Sequence, residues 1–256
     1  MRFDAIISDL DGCLAAEDGG PFDLARLVRL AHHNRLAETR RDRPPITVCT
    51  GRPQPFAEAM CRVLHNNQLP CVAENGVWLY HPATNGYEQD PAITPQHSAA
   101  VAQAAALLAE RYAPRGVTQQ PAKTASVTLF HRDRTVLVEI EPEVRALLEE
   151  HGWPFRVSMT WDYINCDLRH ISKASGLVRW FAATGVAPER CLGIGDTMSD
   201  LPIAEACGWF GCPANAADSL KEHADYVSPH EQIEGVLDLL AAAGVMETDA
   251  VEVGRV

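Results

Sequence analysis

No stretch of this 256-residue chain approaches the roughly 20 apolar residues that a membrane-spanning helix needs. The first residues, MRFDAIISD, lack the layout of a secretory signal, because acidic side chains interrupt any apolar region. Positive charge is scarce: 22 Lys and Arg stand against 34 Asp and Glu, a net charge of −12. That balance argues against nucleic acid or an anionic membrane surface as the main partner. The arginines at 26, 29, 35, 40, 41 and 43 read as a solvated helix face and loop rather than a nucleic-acid patch. None of the eight cysteines forms C-x-x-C, and the ten histidines show neither H-x-H nor H-E-x-x-H. Cys49, Cys71 and Cys191 lie in apolar runs, so the cysteines read as reduced, small apolar residues. There is no internal repeat. A cytoplasmic protein, monomer or homodimer, is expected.

What is present alternates in type. FDAIIS (3–8), PITVCT (45–50) and PCVAEN (70–75) read as strands, with helices over 22–39 and 54–67 between them. This rhythm is the signature of a parallel sheet wound by helices. Near residue 80 it changes. HPATNGYEQDPAITP reads as a loop, followed by a helix at 96–112. ASVTLFHR (125–132) and RTVLVEIE (134–141) look like paired strands turning at Asp133. Residues 143–151 read as helix, and 155–167 as one broken or two short strands. Helix–strand alternation then resumes with 172–186, 190–196 and 198–207. The expectation is an α/β, Rossmann-like parallel-sheet core over 1–81 and 166–256. An α+β cap of order α-β-β-α-β-β is inserted at 82–165.

The chemistry concentrates where strands end. In IISDLDGCL, an apolar strand runs into D-x-D-G. Residues i and i+2 share a face, so Asp9 and Asp11 are able to meet one ligand. Two like charges that close are unfavourable unless a cation or a proton transfer uses them. Gly12 then allows a tight turn. In an open parallel sheet ligands bind beyond the carboxyl ends of the strands. That rule gathers Asp9 and Asp11, Thr50-Gly51-Arg52, and the stretch from Gly195-Asp196 to Asp200 at one rim. Lys173 starts a helix near the same rim, where a positive charge opposes the macrodipole and so points to a specific anion. Taken singly, each has a plainer reading as a turn or helix-start residue; together they point to a site.

The ordered set DLDG (9–12), TGR (50–52), Lys173 and GDTMSD (195–200) resembles the haloacid dehalogenase superfamily of phosphatases. The resemblance covers most of the chain, closely in the core and loosely in the cap. The insertion after Thr50 is similar to the branch with an α/β cap at the second position, which contains Cof-type, sucrose-, trehalose- and mannosylglycerate-phosphate phosphatases. AENG (73–76) and KTASVTLFHR (123–132) resemble segments of that branch. The resemblance implies an Mg²⁺-dependent phosphatase of a small phosphorylated metabolite, a sugar phosphate being the expected class. It implies Asp9 as nucleophile and Asp11 as general acid and base. Asp9, Asp11 and Asp196 would hold the metal, and Thr50, Gly51 and Lys173 the phosphate. Asp200, Arg52 and Asn75 would support them. The family pattern often has amides where this chain has Thr197 and Ser199, and Gly where it has Ala174. Lys123, His131, Arg132 and Trp161 are the candidates for specificity on the cap. A cationic cap pocket would suit a second acidic group on the substrate, a neutral one a simple sugar phosphate. The alternatives are a phosphotransferase or mutase on the same fold, and a non-catalytic metabolite sensor. The presence of both Asp9 and Asp11 weighs against the sensor.

Overall fold

A computed structural model describes residues 2–16, 19–160 and 163–246. The N-terminal run forms β1 (Ala5–Ser8), buried throughout. Helix α1 (Leu24–Arg40) starts at Asp23, whose carboxylate accepts the Arg26 N–H, and buries Leu27, Leu30 and Ala37 along one stripe. Then come β2 (Ile46–Val48), α2 (Gln54–Val63) and β3 (Cys71–Ala73).

From here two expectations are corrected. The stretch read as a loop after residue 80 continues as a hairpin, β4 (Trp78–His81) and β5 (Gly86–Gln89), with β4 antiparallel to both β3 and β5. Asn85 takes a left-handed φ of 52°, which Asn tolerates, and Asn-Gly closes the turn. Helix α3 (Pro95–Tyr112) follows, then β6 (Thr118–Gln119) and β7 (Ser126–Phe130). The second correction is α4 (Arg134–Glu150): residues 134–141 are helix, not the partner strand of 125–132. The alternation in TVLVEIE suggested a period of two. The longer window decides, because Leu137, Ile140, Val144 and Leu148 are all buried at helical spacing, and the Asp133 carboxylate caps the Thr135 N–H. Strands β8 (Phe155–Met159) and β9 (Tyr163–Leu168) complete a four-stranded antiparallel sheet of order β6-β7-β9-β8.

The chain returns through α5 (Lys173–Thr184), β10 (Cys191–Ile194), α6 (Leu201–Ala206), β11 (Trp209–Cys212), α7 (Asp218–Lys221), β12 (Tyr226–Val227) and α8 (Gln232–Ala242). Five strands form a parallel sheet of order β12-β11-β10-β1-β2. Ile6 packs on one face with Leu30, Val236 and Leu240; Ile7 packs on the other with Leu177, Trp180 and Phe210. Each such burial stabilises by about 1.5–3 kcal/mol relative to exposure. The antiparallel sheet has its own core, with Val127, Leu129, Ile140, Val144 and Ile164. The molecule is therefore an α/β core with a parallel sheet, against which β4 packs Leu79 and Tyr80, and an α+β cap built on the β6-β7-β9-β8 sheet. β1, β2 and β10 all end at the rim below that cap.

Candidate active site

Asp9 follows β1 directly and is 7% exposed. Asp11 follows it, and Gly12 turns the chain at φ 75°. The turn is held by the Gly12 N–H to Ala15 O at 2.7 Å and by Asn215 Nδ2 to Gly12 O at 2.9 Å. A Cβ on Gly12 would overlap the carboxylate of Asp196, which is why this position carries no side chain. After β10, Asp196 is 2% exposed and Asp200 fully buried.

Lys173 opens α5 above Ser172, which caps the helix. Its Nζ lies 2.9 Å from Asp9 Oδ1 and 2.5 Å from Asp200 Oδ1. Burial works against the Lys173 charge, but Asp200 and Asp9 more than offset it and hold its pKa well above the ordinary lysine value. For Asp9 the balance goes the other way. Burial, then the nearby Asp200 carboxylate, pushes its pKa up to about 7 despite Lys173. Asp200 Oδ2 accepts the N–H groups of Asp196 and Thr197 at 3.0 and 3.1 Å, so both its oxygens are engaged within the protein.

The carboxylates of Asp9, Asp196 and Asp200 lie within 4.8 Å of one another, all buried. Hard oxygen donors crowded in this way suit Mg²⁺, whose charge would relieve the repulsion that raises Asp9. With Asp200 occupied by Lys173 and two amides, Asp9 and Asp196 are the two of these three carboxylates that line the cavity.

Thr50 is fully buried after β2, and its Oγ1 accepts the Arg52 N–H at 3.1 Å. Gly51 and Arg52 line the cavity. Arg52 reaches Asp11 with two bonds, Nε to Oδ2 at 2.8 Å and Nη2 to Oδ1 at 2.6 Å. Its guanidinium lies near the rings of Phe56 and Tyr163, at 5.3 and 5.9 Å. Asn75 donates to Asp167 Oδ2 at 3.1 Å. The turn carrying Asn75 packs backbone to backbone on α5, since a Cβ on Gly176 would lie 2.8 Å from Gly76 Cα. That close approach sets the height of Lys173 against the 74–76 turn. Thr197 and Ser199, which stand where amides are common in the family, bond to each other at 2.8 Å and line the cavity.

The cavity between core and cap has a volume of about 650 Å³. Of the four cap candidates, Lys123 lines it, with Nζ bonded to Gly51 O at 2.5 Å; burial pulls its pKa down. His131 and Arg132 do not line it. They sit in the turn between β7 and α4, where His131 Nδ1 meets the backbone of Asp133. Trp161 lies outside the described residues. Residues the motifs did not single out fill the cap side instead, Arg134, Arg156, Asn165 and Asp167 among them. Asp167 is buried, and burial raises its pKa. Alternation in β9 was the available signal, since Asn165 and Asp167 share one face of that strand.

Charge divides unevenly across the cavity. Among its described lining residues, the core contributes the carboxylates of Asp9, Asp11 and Asp196 against Arg52 and Lys173. The cap contributes Lys123, Arg134 and Arg156 against Asp167. The core side suits a cation with a phosphate; the cap side suits an anion.

Comparison with known proteins identifies the family and the fold. A family model described as haloacid dehalogenase-like hydrolase matches residues 110–240. A phosphoglycolate phosphatase of Methanopyrus kandleri is 26% identical over 237 residues, 92% of this chain and 94% of that protein. One of Methanosarcina acetivorans is 24% identical over 247 residues, 94% of this chain and 96% of that one. Among solved structures, a haloacid dehalogenase-like hydrolase from Bacteroides thetaiotaomicron superposes with a TM-score of 0.70 at 16% identity, covering 94% of this chain and 99% of that one. The sucrose-phosphatase of Synechocystis sp., in complex with sucrose and phosphate, gives 0.61 at 17% identity, covering 96% and 100%.

Proposed function

The chain belongs to the haloacid dehalogenase-like hydrolase family, and from that premise we propose that it is an Mg²⁺-dependent phosphoric monoester hydrolase. Its substrate is a small phosphorylated metabolite whose leaving group carries a carboxylate. The uneven charge of the cavity carries this reading, with a carboxylate-rich core floor under a cap lined by Lys123, Arg134 and Arg156. Relatives named phosphoglycolate phosphatase, similar over nearly their whole length, support the same class. The expected sugar phosphate thereby narrows to one bearing an acid group, such as a glycerate conjugate, for which about 650 Å³ leaves room.

Asp9 attacks phosphorus and forms an aspartyl-phosphate. Lys173, already bonded to Asp9 Oδ1, holds a phosphate oxygen, as do the Gly51 amide and Thr50. Asp11 protonates the departing alkoxide and then takes a proton from the water that hydrolyses the intermediate. Arg52 engages both Asp11 oxygens and fixes where that carboxyl sits. Asp9, Asp196 and the Asp11 main-chain carbonyl are the groups that would hold Mg²⁺, which supplies neutralisation of charge on the transferring group. Closure of the cap over bound substrate would keep water from the reacting centre in the first half-reaction.

The test is phosphate release from 2-phosphoglycolate, phosphoglycerate conjugates and neutral sugar phosphates, with Mg²⁺ and with EDTA. We expect Mg²⁺-dependent release favouring the acidic leaving groups, lost by at least about a thousandfold in Asp9→Asn. A preference for glucose 6-phosphate overturns the substrate class. Retention of near-full activity in Asp9→Asn overturns the mechanism.

A further inference from the structure

Glu74 is a fully buried carboxylate that the proposed chemistry does not use. It lies in the turn after β3, and among the described residues its side-chain hydrogen bonds come from one cap segment. Oε1 accepts the Thr124 N–H at 2.8 Å, the Ala125 N–H at 2.9 Å and the Ser126 hydroxyl at 2.9 Å. Oε2 accepts the Thr124 hydroxyl at 2.8 Å. That segment begins immediately after Lys123, whose Nζ rests on Gly51 O. The Glu74 backbone N–H in turn donates to Arg52 O at 2.8 Å. One residue thus joins the phosphate-side loop to the cap segment that carries the half-buried Lys123.

The neighbouring residue completes the arrangement. Glu74 and Asn75 are both left-handed, at φ 51° and 55°, a conformation that Asn tolerates but that is unfavourable to Glu. Two such residues in succession send Glu74 to Ser126 on β7 and Asn75 to Asp167 on β9. Ser126 and Asp167 face each other directly across the β7–β9 pair. The strained turn therefore grips both members of one cross-strand pair, at the end of the cap sheet where the cavity begins. The side chain that this grip places on the Glu74 flank is Lys123.

A carboxylate is an expensive way to satisfy two amides and two hydroxyls, because burying its charge opposes folding unless that charge is used. Here a half-buried cation lies within its electrostatic reach. Glu74 raises the Lys123 pKa against the burial that lowers it, so its charge helps keep that lysine protonated.

We propose that Glu74 is a positioning residue for substrate recognition: its carboxylate fixes the 124–126 segment and thereby holds Lys123, charged and over Gly51, where the acidic leaving group binds. The inference rests on the proposed reading of the cap side as the site of that acid group. Glu74 itself touches no substrate.

The test compares wild type, Glu74→Gln, Glu74→Ala, Lys123→Met and the Glu74→Gln/Lys123→Met pair, all as full chains with Mg²⁺. The readout is the ratio of kcat/KM for 2-phosphoglycolate to kcat/KM for p-nitrophenyl phosphate, whose leaving group has no carboxylate. Hydrogen exchange at the Thr124 and Ala125 amides reads the grip without reference to activity. Glu74→Gln keeps the shape, so a variant that folds is available even where Glu74→Ala does not. We expect Glu74→Gln to speed exchange at both amides and to lower the ratio about tenfold, mainly through KM for phosphoglycolate. The double variant should fall no further than Lys123→Met alone. Faster exchange with an unchanged ratio overturns the inference, because Glu74 is then a staple only; additive losses in the double variant overturn it as well. A wild-type enzyme with no preference for the acidic substrate sinks the substrate reading first, before any variant is compared.

Discussion

Gly12→Ala separates the backbone cost of the D-G turn from its steric purpose. Gly12 sits at φ 75°, where an Ala pays about 1–2 kcal/mol. At roughly 2–4 °C per kcal/mol for a chain of this size, the transition should fall by about 2–8 °C. The larger effect is local. The new Cβ would overlap the Asp196 carboxylate, which has to withdraw by roughly an ångström, a displacement that costs about 10²-fold in a preorganised site. The far end of a side chain is able to yield, so the fold survives while the metal-binding pair Asp9 and Asp196 does not stay in place. Gly185→Ala is the control: Gly185 is also left-handed, at φ 68°, with nothing within 4 Å of its would-be Cβ. Thermal unfolding and Mg²⁺ titrations of turnover are measured on both variants. We expect similar losses of stability, but a fall of about 100-fold in kcat/KM with weaker Mg²⁺ activation only in Gly12→Ala. Gly12→Ala with wild-type Mg²⁺ dependence would refute the claim that this glycine exists to admit Asp196.

Two further outcomes follow from buried charge. Lys173→Met should lose turnover and about 3–5 kcal/mol of stability at neutral pH, because the buried Asp9 and Asp200 are left without their cation. An unchanged urea midpoint would show that the pair carries no such burden. His33 is buried, its Nε2 is 2.8 Å from Pro44 O, and burial pulls its pKa down to about 4 from an ordinary 6.5. The unfolded chain therefore binds this proton first, so stability is complete above pH 6.5 and is lost as pH falls from 6.5 towards 4. Between pH 7 and 4.5 the wild type should lose about 2–3 kcal/mol more than His33→Gln in urea unfolding; parallel pH profiles would rule that out.

The sequence by itself determined the parallel core and the rim on which the chemistry sits. Apolar runs such as AIIS and CLGI have no reading other than buried strands, and the ligand rule for parallel sheets then places Asp9, Thr50 and Asp196 together. These are local signals: a strand, its end, and the residue after it. The left-handed turn at Gly12 was legible for the same reason, whereas the need to admit the distant Asp196 carboxylate was not. The tertiary structure decided everything that depends on a partner distant in the chain. Residues 134–141 satisfy a period of two locally, and only burial of Leu137 through Leu148 against the cap sheet makes them helix. His131 and Arg132 are as polar as Arg134 and Arg156, yet the path of the chain into α4 leaves the first two off the cavity and brings the others to it. Glu74 sits beside the noted Asn75, but nothing local announces that its carboxylate meets residues 50 positions away. Sequence motifs record what one strand end must present, whereas specificity comes from side chains on a second sheet whose placement is set by packing across the whole fold.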